Sequence, residues 1–413
     1  MDLGKGLFEM RAAVWHGVGD IRLDEVPDPR IEEPTDAIVR ITRTAICGTD
    51  LHFARGTVPG LSEGSILGHE GVGQVVQVGS AVRNFSPGDR VVVSSTISCG
   101  FCSYCRAGYQ AQCDNANPGG RRAGTAYFGA PASAGGFAGL QAEYARIPYA
   151  SNGLVALPDD VSDDEAILLS DIFPTAWFGA RIADVSAGDT VAVFGCGPVG
   201  QLAILSAQLQ GAGRVIAVDQ LPDRLATAKG QHAEVVDFSV EDPVSVIDEL
   251  TGGIGVDRAI DAVGVDAQHP THGPAARQAE EQADLIAWER GAVAAQAAPQ
   301  DDNWVPGNAP GQALRWAVDA LAKAGTLGII GVYPPTMTSF PTGIAMNKNL
   351  TIKAGNANHR HYLPQLVEMI GNGTVDPSGL VTEEEPIGDI VGAYREFDRR
   401  EPGWLKVAID PTS

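Results

Sequence analysis

Near the middle of the chain runs the segment Thr190-Val191-Ala192-Val193-Phe194-Gly195-Cys196-Gly197-Pro198-Val199-Gly200, in which an apolar strand meets a G-x-G-x-x-G turn. An apolar-rich helix is predicted to follow, from about 201 to 210. The first glycine permits the tight turn, the second lets the backbone approach a pyrophosphate, and the third allows close helix–strand packing. The start of the helix offers unpaired N–H groups to phosphates. The segment predicts a Rossmann-type dinucleotide site formed by Gly195, Gly197, Pro198, Val199 and Gly200.

A carboxylate ends the next predicted strand. Asp219 follows the apolar run Arg214–Val218, about twenty residues after the glycine turn. A carboxylate at that place hydrogen-bonds the ribose hydroxyls of NAD and repels the 2′-phosphate of NADP. The sequence therefore predicts NAD as the cofactor, while Arg224, close by in sequence, keeps NADP open as an alternative.

Strands and helices continue to alternate after this turn. Further apolar strands are predicted at 234–238, 257–264 and 325–332. Such alternation is typical of an α/β fold with a parallel, doubly wound sheet. The segment from 265 to 311 is polar, rich in Ala, Gln and Pro, and much longer than an ordinary connection. We expect it to be either a functional loop or surface decoration.

The N-terminal part of the chain has a different pattern. At 413 residues the chain exceeds one typical core, so two domains are expected. From Met10 to about Val161, short apolar runs such as Ala37–Ile41 and Gly73–Val78 are separated by Pro and Gly. This pattern predicts a β-rich, barrel-like domain ahead of the doubly wound one.

Three segments carry side chains that suit a metal ion. Cys47-Gly48-Thr49-Asp50-Leu51-His52 offers a thiolate and an imidazole, Gly68-His69-Glu70 adds another imidazole, and Asp171 lies in Ser170–Pro174. Three ligands from separate segments, with a fourth position open, are what a catalytic zinc ion requires. Cys47, the two histidines His52 and His69, and Asp171 are the candidate ligands.

A second group of potential ligands is local. Cys99, Cys102, Cys105 and Cys113 are close enough in sequence to close a tetrahedral zinc site that leaves no position for water. Two disulfides or an iron–sulfur cluster are the alternatives. The absence of an export signal argues against disulfides, and the single local lobe without a Pro-flanked pattern argues against a cluster. A structural zinc ion is therefore predicted.

Composition excludes several classes of partner. There are 29 Lys and Arg against 51 Asp and Glu, a formal net charge of −22. An acidic surface repels nucleic-acid and membrane phosphates, so neither kind of partner is expected. No stretch approaches the roughly 20 apolar residues of a membrane span, and the N-terminus lacks the pattern of a signal peptide. A cytoplasmic protein is expected.

Together, the Cys47–His52 segment, Gly68–Glu70, the four cysteines and the glycine turn occur in the order seen in zinc-dependent medium-chain alcohol dehydrogenases. The chain resembles this family from Met10 to its C-terminus, and with aspartate as third ligand it looks most like glutathione-independent formaldehyde dehydrogenase. The resemblance implies a GroES-like catalytic domain (1–163, zinc lobe 99–113), a Rossmann NAD-binding domain (164–345, insertion 265–311) and a return to the first domain (346–413). It also implies two Zn²⁺ per chain, with Cys47, His69 and Asp171 as ligands of the catalytic one. A homotetramer and a small alcohol or aldehyde substrate are implied as well.

The resemblance assigns roles around the catalytic zinc ion, which would lower the pKa of a bound alcohol or aldehyde hydrate so that hydride passes to NAD⁺. Thr49 matches the hydroxyl of the family's proton relay, and His52 matches a surface imidazole that passes the proton to solvent. Asp50 would orient the zinc-bound imidazole, and Glu70 is a second carboxylate near the metal. The alternatives are a solvated His52 and a Glu70 that belongs to a buried structural pair.

The resemblance also concerns the cofactor and the substrate pocket. Thr175 would face the nicotinamide ring, and Val263 and Val332 are further predicted cofactor contacts. Arg360 is predicted either to touch a cofactor phosphate or to lie in a solvated turn, and the 265–311 segment is predicted to cover the adenine end. The pocket is expected to depend on that segment and on three side chains, Phe53, Thr96 and Phe128.

Other functions compete with this interpretation. A polyol or secondary-alcohol dehydrogenase of the same family is the nearest alternative. A non-catalytic nucleotide-binding protein would generally lack zinc ligands, and a zinc hydrolase would leave the Rossmann turn idle. The sequence therefore favours a zinc-dependent oxidoreductase.

Overall fold

The computed structural model describes residues 9–413, which form two compact units. The first unit comprises the chain up to Ala54, residues 59–174 and residues 358–413. The second comprises residues 55–58 and 175–357. Within residues 9–413, no helix combines the length and the apolar character needed to cross a membrane.

The strands of the described chain are numbered β1 to β16. In order they are Glu9–Gly17, Asp20–Pro27, Ala37–Ile46, Ser65–Ile66, Gly71–Val78, Arg90–Val93, Tyr144–Ile147, Leu154–Ala156, Thr190–Phe194, Arg214–Asp219, Glu234–Asp237, Val256–Asp261, Leu321–Ile329, Thr351–Ala354, Glu383–Pro386 and Val407–Asp410.

The α-helices of the described chain are numbered α1 to α14. In order they are Gly48–Arg55, Ser103–Arg106, Ala150–Gly153, Asp163–Ser170, Ile172–Ile182, Pro198–Leu209, Pro222–Gly230, Pro243–Leu250, Pro274–Glu281, Ala283–Val293, Gln312–Ala320, Thr342–Asn347, His359–Gly371 and Ile390–Arg399. Short 3₁₀ turns occur between them, at Gln110–Gln112, Gly120–Arg122, Ala132–Ala134, Gly264–Asp266, Ser378–Leu380 and Ile387–Asp389.

The first unit is built on two sheets. One has the order β2-β1-β4, and the other has the order β15-β16-β3-β5-β6-β8, with β7 paired to β3. Its strands are antiparallel to their neighbours apart from β15 and β16. Apolar side chains such as Val39, Ile41 and Val75 are fully buried in the core of the larger sheet. The β-rich prediction for this part of the chain is confirmed.

The second unit contains one parallel sheet with the order β11-β10-β9-β12-β13-β14. Counted along the chain this is 3-2-1-4-5-6, the order of a doubly wound dinucleotide-binding sheet. Strand β9 is central, and its residues Val191–Phe194 are buried, as expected for a strand covered on both faces. The prediction of an α/β fold with a Rossmann sheet is confirmed.

The units divide after Pro174 and after Ala357, later in the chain than the predicted boundaries at 163 and 345. Helix α4 belongs to the first unit, because Thr42 Oγ1 in β3 donates a hydrogen bond to Asp163 Oδ2 at 2.5 Å. Strand β14 belongs to the second unit, because it extends the parallel sheet by pairing with β13. Packing against a sheet, which the sequence pattern did not show, sets both boundaries.

Residues 163–182 form two helices, α4 and α5, rather than one continuous helix. Helix α4 begins with a capping box in which Ser162 Oγ accepts from Glu165 N at 3.2 Å, and it ends at Ser170. Asp171, with φ −138° and ψ −64°, lies outside helical geometry before α5 begins. Pro174 is not the cause of the break, because it lies in the first turn of α5, where a missing N–H is tolerated. The break leaves the Asp171 side chain at a helix junction.

The 265–311 segment was expected to be a long loop, and this expectation is wrong in part. It contains helices α9 and α10. The buried Glu289 of α10 accepts hydrogen bonds from Arg315 Nη1 and from Ser339 Oγ, each at 2.6 Å. Trp304 is 2% exposed. Burial and this charged contact, rather than local sequence preference, order the segment within the second unit.

Candidate metal centres and dinucleotide site

Cys47 lies between strand β3 and helix α1. Asp50, in the first turn of α1, accepts a hydrogen bond from the Cys47 backbone N at 2.9 Å, and the Asp50 backbone N donates to Cys47 O at 3.0 Å. This pair of bonds closes the turn that joins the strand to the helix. The turn therefore holds the Cys47 thiol at the end of β3.

Cys47, His69 and Asp171 converge inside the first unit. Each offers one ligand atom, and these atoms lie within 4.8 Å of one another. Asp171 Oδ2 is 3.6 Å from Cys47 Sγ and 3.4 Å from His69 Nε2. All three side chains belong to residues that are at most 9% exposed. The predicted ligand set is thus brought together from three distant segments.

These distances fit a zinc ion. Tetrahedral zinc with its usual bond lengths separates a sulfur from an oxygen ligand by about 3.5 Å and two nitrogen or oxygen ligands by about 3.3 Å. One thiolate, one imidazole and one carboxylate are also typical zinc donors, and they fill three of the four positions. The residues present therefore suit a zinc centre with one position open.

Burial and charge act in opposite directions on these groups. Burial raises the pKa of the Cys47 thiol. Burial alone would lower the pKa of His69, but the charges of Asp50 and Cys47 raise it well above its usual value. Burial likewise opposes the Asp171 carboxylate, yet hydrogen bonds from His359 and His69 hold its pKa well below the usual range. A bound cation would compensate the charge that is concentrated here, because it favours both the thiolate and the carboxylate.

Asp50 connects His69 to a buried polar chain. Asp50 Oδ1 lies 3.1 Å from His69 Nδ1, and Asp50 Oδ2 accepts from Gln141 Nε2 at 3.3 Å. Gln141 Oε1 in turn accepts a hydrogen bond from Tyr394 OH at 2.8 Å. The predicted orienting residue is therefore itself held in place by two side chains that the sequence did not single out.

Glu70 forms a buried ion pair with Lys406. Both side chains are 0% exposed, and Lys406 Nζ also donates to the Ile46 carbonyl at 3.0 Å. Burial opposes the charge of Lys406, but Glu70 raises the pKa of the ammonium group. The pair lies beside the three ligands, because Ile46 precedes Cys47 and Glu70 follows His69.

The predicted proton-relay residues both lie on helix α1. Thr49 is half-buried. His52 is 3% exposed, so the expectation that it is a surface imidazole is wrong. The reason is that the helix has no solvated face at this point: Leu51 and Phe53 on either side are also buried.

Three residues were predicted to shape the pocket, and all of them are buried. Phe53, Thr96 and Phe128 are each at most 3% exposed. Phe128 packs in the core of the larger sheet. A nearby residue that the sequence did not suggest is Tyr127, whose ring lies edge-on to the His69 ring at 6.0 Å between centroids, and whose pKa burial raises to about 12.

The four cysteines also meet in space, with sulfur–sulfur distances of 4.0 Å between Cys99 and Cys105 and 3.9 Å between Cys102 and Cys113. A disulfide would need about 2.05 Å, whereas two thiolates on tetrahedral zinc lie about 3.8 Å apart. All four are free thiols in the described structure. The geometry favours a metal site over the disulfide alternative.

Backbone N–H groups surround these sulfurs. Cys99 Sγ accepts from the backbone N of Phe101 at 3.4 Å and of Cys102 at 3.3 Å, and Cys113 Sγ accepts from Cys99 N at 3.3 Å. Burial opposes ionisation, but the backbone N–H of Cys105 helps to lower the pKa of Cys102 to about 7. The backbone of the lobe thus favours the thiolate of Cys102, whereas burial raises the pKa of Cys105 and of Cys113.

The glycine turn in the second unit has the predicted form. Gly195 follows β9 with φ +89°, a conformation that favours glycine. A Cβ on Gly200 would lie 1.8 Å from Gly195 O, so only glycine fits there. Gly197 caps helix α6, with Pro198 and Val199 in its first turn. The N-terminus of α6 therefore points its free N–H groups towards the turn.

Asp219 and Arg224 lie on either side of this turn. Asp219 ends β10 and accepts from the backbone N of Cys196 at 2.7 Å, of Gln220 at 2.7 Å and of Leu221 at 3.0 Å. These bonds use three of the roughly four acceptor positions of a carboxylate. A Cβ on Gly197 would lie 3.5 Å from Arg224 Nη1, which shows that the guanidinium reaches the turn.

Three further predicted cofactor contacts, Val263, Val332 and Thr175, also lie in the second unit. Val263 follows β12 and Val332 follows β13, so both are at the carboxyl ends of parallel strands, where such sheets bind ligands. The Val265 backbone N donates to Val332 O at 3.0 Å, which joins the two strand ends. Thr175 lies in α5. Arg360 lies in α13 of the first unit, and its contact with the cofactor stays a prediction.

Several residues of the first centre have no recognisable signal in the sequence, above all His359. Its Nε2 lies 2.7 Å from Asp171 Oδ1, and its Nδ1 lies 3.1 Å from Thr96 Oγ1. The run His359-Arg360-His361 is conspicuous in the sequence, but it does not show that His359 contacts Asp171. Lys406 could have been suspected, since a lysine between Leu405 and Val407 interrupts an apolar run.

Comparison with known proteins identifies the family. The alcohol dehydrogenase GroES-like domain matches residues 33–159, and the zinc-binding dehydrogenase domain matches residues 198–271. Over 406 residues the chain is 35% identical to a zinc-type alcohol dehydrogenase-like protein of Bacillus subtilis, with 97% of this chain and 100% of that protein covered. The chain belongs to the zinc-dependent medium-chain alcohol dehydrogenase family.

Other members of this alcohol dehydrogenase family give the same result. The glutathione-independent formaldehyde dehydrogenase of Pseudomonas aeruginosa is 35% identical over 415 residues, with 97% of both chains covered. Among solved structures, an alcohol dehydrogenase from Thermus sp. ATN1 superposes with a TM-score of 0.78 at 31% identity, covering 97% of this chain and 99% of that one. The protein is thus an alcohol dehydrogenase-family oxidoreductase with a GroES-like and a Rossmann domain.

Proposed function

We propose that the protein is a zinc- and NAD-dependent dehydrogenase that oxidises a small alcohol or aldehyde hydrate, with formaldehyde hydrate as the leading substrate. The observation that carries the proposal is the convergence of Cys47, His69 and Asp171, whose ligand atoms lie within 4.8 Å of one another. A merely nucleotide-binding protein has no need of a buried three-ligand centre. The glycine turn supplies the second requirement, a place for a dinucleotide.

In this proposal the three ligands hold Zn²⁺, which when bound polarises a substrate oxygen and lowers the pKa of an alcohol. The chain itself keeps the ligands in place. Asp50, 3.1 Å from His69 Nδ1, orients the imidazole so that Nε2 faces Cys47 and Asp171. The low exposure of all three ligands excludes bulk water from the reacting atoms.

Thr49 and His52 are proposed to carry the proton away from the substrate. They lie one helical turn apart on α1, and the burial of His52 means that its proton reaches solvent through a further group rather than directly. Burial raises the pKa of Glu70, and Lys406 opposes that rise, so the pair is proposed to place a carboxylate beside the ligands without adding net charge. The four-cysteine lobe is proposed to hold a second, structural Zn²⁺.

NAD is proposed as the cofactor because Asp219 retains one acceptor position for a ribose hydroxyl and repels a 2′-phosphate. Arg224 beside the glycine turn is the residue that would favour NADP instead.

Formaldehyde is favoured by two observations. The third ligand is an aspartate, and a relative named glutathione-independent formaldehyde dehydrogenase is 35% identical across nearly the whole chain. A small-alcohol dehydrogenase is the second candidate, supported by a relative from Cupriavidus necator named alcohol dehydrogenase at 34% identity.

The test is a turnover assay with purified, zinc-loaded protein. NADH formation is followed with NAD⁺ and formaldehyde in the absence of any thiol, with short primary, secondary and polyhydric alcohols in parallel and NADP⁺ as the alternative cofactor. Turnover of formaldehyde with NAD⁺ supports the full proposal. Turnover of alcohols alone supports the second candidate, and no turnover by the zinc-loaded protein on any of these compounds contradicts the proposal.

A further inference from the structure

The two oxygens of Asp171 face different partners. Oδ2 lies 3.6 Å from Cys47 Sγ and 3.4 Å from His69 Nε2, whereas Oδ1 lies 2.7 Å from His359 Nε2. Asp171 is 9% exposed and His359 is 3% exposed, so water does not compete freely for this contact. One oxygen is therefore directed to the other two ligands and the second to an imidazole.

Asp171 and Thr96 contact opposite nitrogens of the His359 ring. An ionised carboxylate can only accept, so His359 Nε2 carries the proton that is donated to Asp171 Oδ1. In the neutral ring Nδ1 is then an acceptor, and it lies 3.1 Å from the Thr96 hydroxyl, which donates to it. Thr96 is 3% exposed, and its backbone pairs with Tyr127 in an isolated bridge. The ring is thus held from both sides.

The backbone at His359 is fixed independently of Asp171. His359 is the first residue of α13, and the preceding Asn358 accepts a hydrogen bond through Oδ1 from the Ala111 backbone N at 2.9 Å. Ala111 lies in the cysteine lobe, between Cys105 and Cys113. The lobe therefore anchors the start of the helix that presents His359.

We propose that His359 is a positioning residue that restricts Asp171 to binding the metal through Oδ2 alone. This inference rests on the three-ligand zinc site of the proposed function. A carboxylate can bind a cation through one or both oxygens. When Oδ1 accepts from His359, only Oδ2 faces Cys47 and His69, and the fourth tetrahedral position stays open for substrate.

Two of the three candidate ligands each have a second side chain on the atom that faces away from the proposed metal. His69 has Asp50 at 3.1 Å on its far nitrogen, and Asp171 has His359 at 2.7 Å on its far oxygen. Groups that orient metal ligands in this way typically contribute 10- to 100-fold to metal affinity. Loss of the His359 ring should therefore weaken metal binding at this centre and leave the cysteine lobe unaffected.

The experiment measures zinc affinity at each centre in the full-length protein. Apo-protein is titrated with zinc against a chromophoric chelator, and with Co²⁺ to record the visible absorption spectrum of the three-ligand centre. The variants are His359→Leu, His359→Gln, whose amide N–H can replace the donor, and Thr96→Val, which removes only the hydroxyl. His361→Leu is the matched control, since His361 is an exposed histidine on the same helix.

We expect His359→Leu to weaken zinc at the three-ligand centre by about 10- to 100-fold and to alter the Co²⁺ spectrum. His359→Gln should recover most of the affinity, Thr96→Val should show a smaller loss in the same direction, and His361→Leu should match the wild type. Wild-type affinity and an unchanged spectrum in His359→Leu would overturn the inference, as would wild-type behaviour of Thr96→Val if His359→Leu does not fold. If the Cys47→Ala variant contains as much zinc as the wild type, the proposed zinc site itself is overturned.

Discussion

The cysteine lobe takes its four cysteines from residues 99–113, whereas the other centre takes Cys47, His69 and Asp171 from three segments far apart in the chain. In the lobe, backbone N–H groups surround the sulfurs. In the three-ligand centre, side chains such as Asp50 and His359 hold the ligands. The comparison teaches that a closed site can be specified locally, while a site with an open position depends on the tertiary structure around it.

The largest expected difference between the two centres is in their effects on activity and on stability. We expect Cys47→Ala to lower kcat/KM by about 10³-fold or more, because a catalytic metal stabilises the transition state by several kcal/mol. Its thermal unfolding should be close to that of the wild type. Cys105→Ala should instead lower the unfolding temperature markedly, because a structural zinc site contributes directly to folding. Steady-state kinetics and calorimetry on both variants check this, and equal loss of stability in the two would break the comparison.

A second test concerns the buried support of the three-ligand centre. Lys406→Met leaves Glu70 buried without its partner, and we expect a loss of about 3–5 kcal/mol in the free energy of unfolding. Lys353→Met is the control, because Lys353 and Asp184 are 41% and 48% exposed and such pairs contribute about 0–1 kcal/mol. Denaturant unfolding measures both. Adding Glu70→Gln to Lys406→Met should restore part of the loss, and a small effect of Lys406→Met would contradict the account.

A third pair of variants compares the supports of the two centres directly. Asp50→Asn removes the charge 3.1 Å from His69 Nδ1, and we expect zinc to bind about 10- to 100-fold more weakly there. Asn115→Ala removes the side-chain N–H that donates to Cys99 Sγ at 3.2 Å. We expect it to change zinc affinity of the lobe only slightly, because backbone donors remain. Chelator competition checks both, and the reverse order of effects would be evidence against the comparison.

The smallest expected effect, on stability, concerns Tyr394, the last residue of the buried hydrogen-bonded series Asp50–Gln141–Tyr394. Tyr394→Phe removes the hydroxyl that donates to Gln141 Oε1 at 2.8 Å, and we expect a loss of about 1–3 kcal/mol because a buried acceptor is left unsatisfied. Tyr109→Phe, on a residue that is 59% exposed, should leave stability unchanged. Denaturant midpoints compare the two, and indistinguishable values would show that the chain adds nothing to the centre.

Sequence alone could predict what is encoded locally. The glycine turn and the four cysteines were recognisable from spacing and residue type, whereas the set Cys47, His69 and Asp171 came from the resemblance to the family; the structure brings each set together. Contacts between distant segments could not be predicted in this way. His359 meets Asp171 across 188 residues, and Lys406 meets Glu70 across 336. Local sequence patterns do not reveal contacts between residues so far apart in the chain, because these contacts arise only when the sheets and helices pack.

Two expectations, for His52 and for residues 265–311, were wrong for the same physical reason. The resemblance placed His52 at the surface, but the residue is buried. The spacing within Cys47–His52 does not show which residues pack over helix α1. The 265–311 segment was expected to be a loop because its composition is polar, yet the buried Glu289 and its partners order two helices there. In both cases tertiary burial decided the outcome.

The most direct test of the account is a zinc count on purified protein by atomic spectroscopy. The wild type should contain two zinc ions per chain, Cys47→Ala one ion with no turnover, and Cys105→Ala one ion fewer than the wild type. Retention of two ions by Cys47→Ala, or a single ion in the wild type that Cys47→Ala does not remove, would contradict the claim that Cys47, His69 and Asp171 form a metal centre separate from the cysteine lobe.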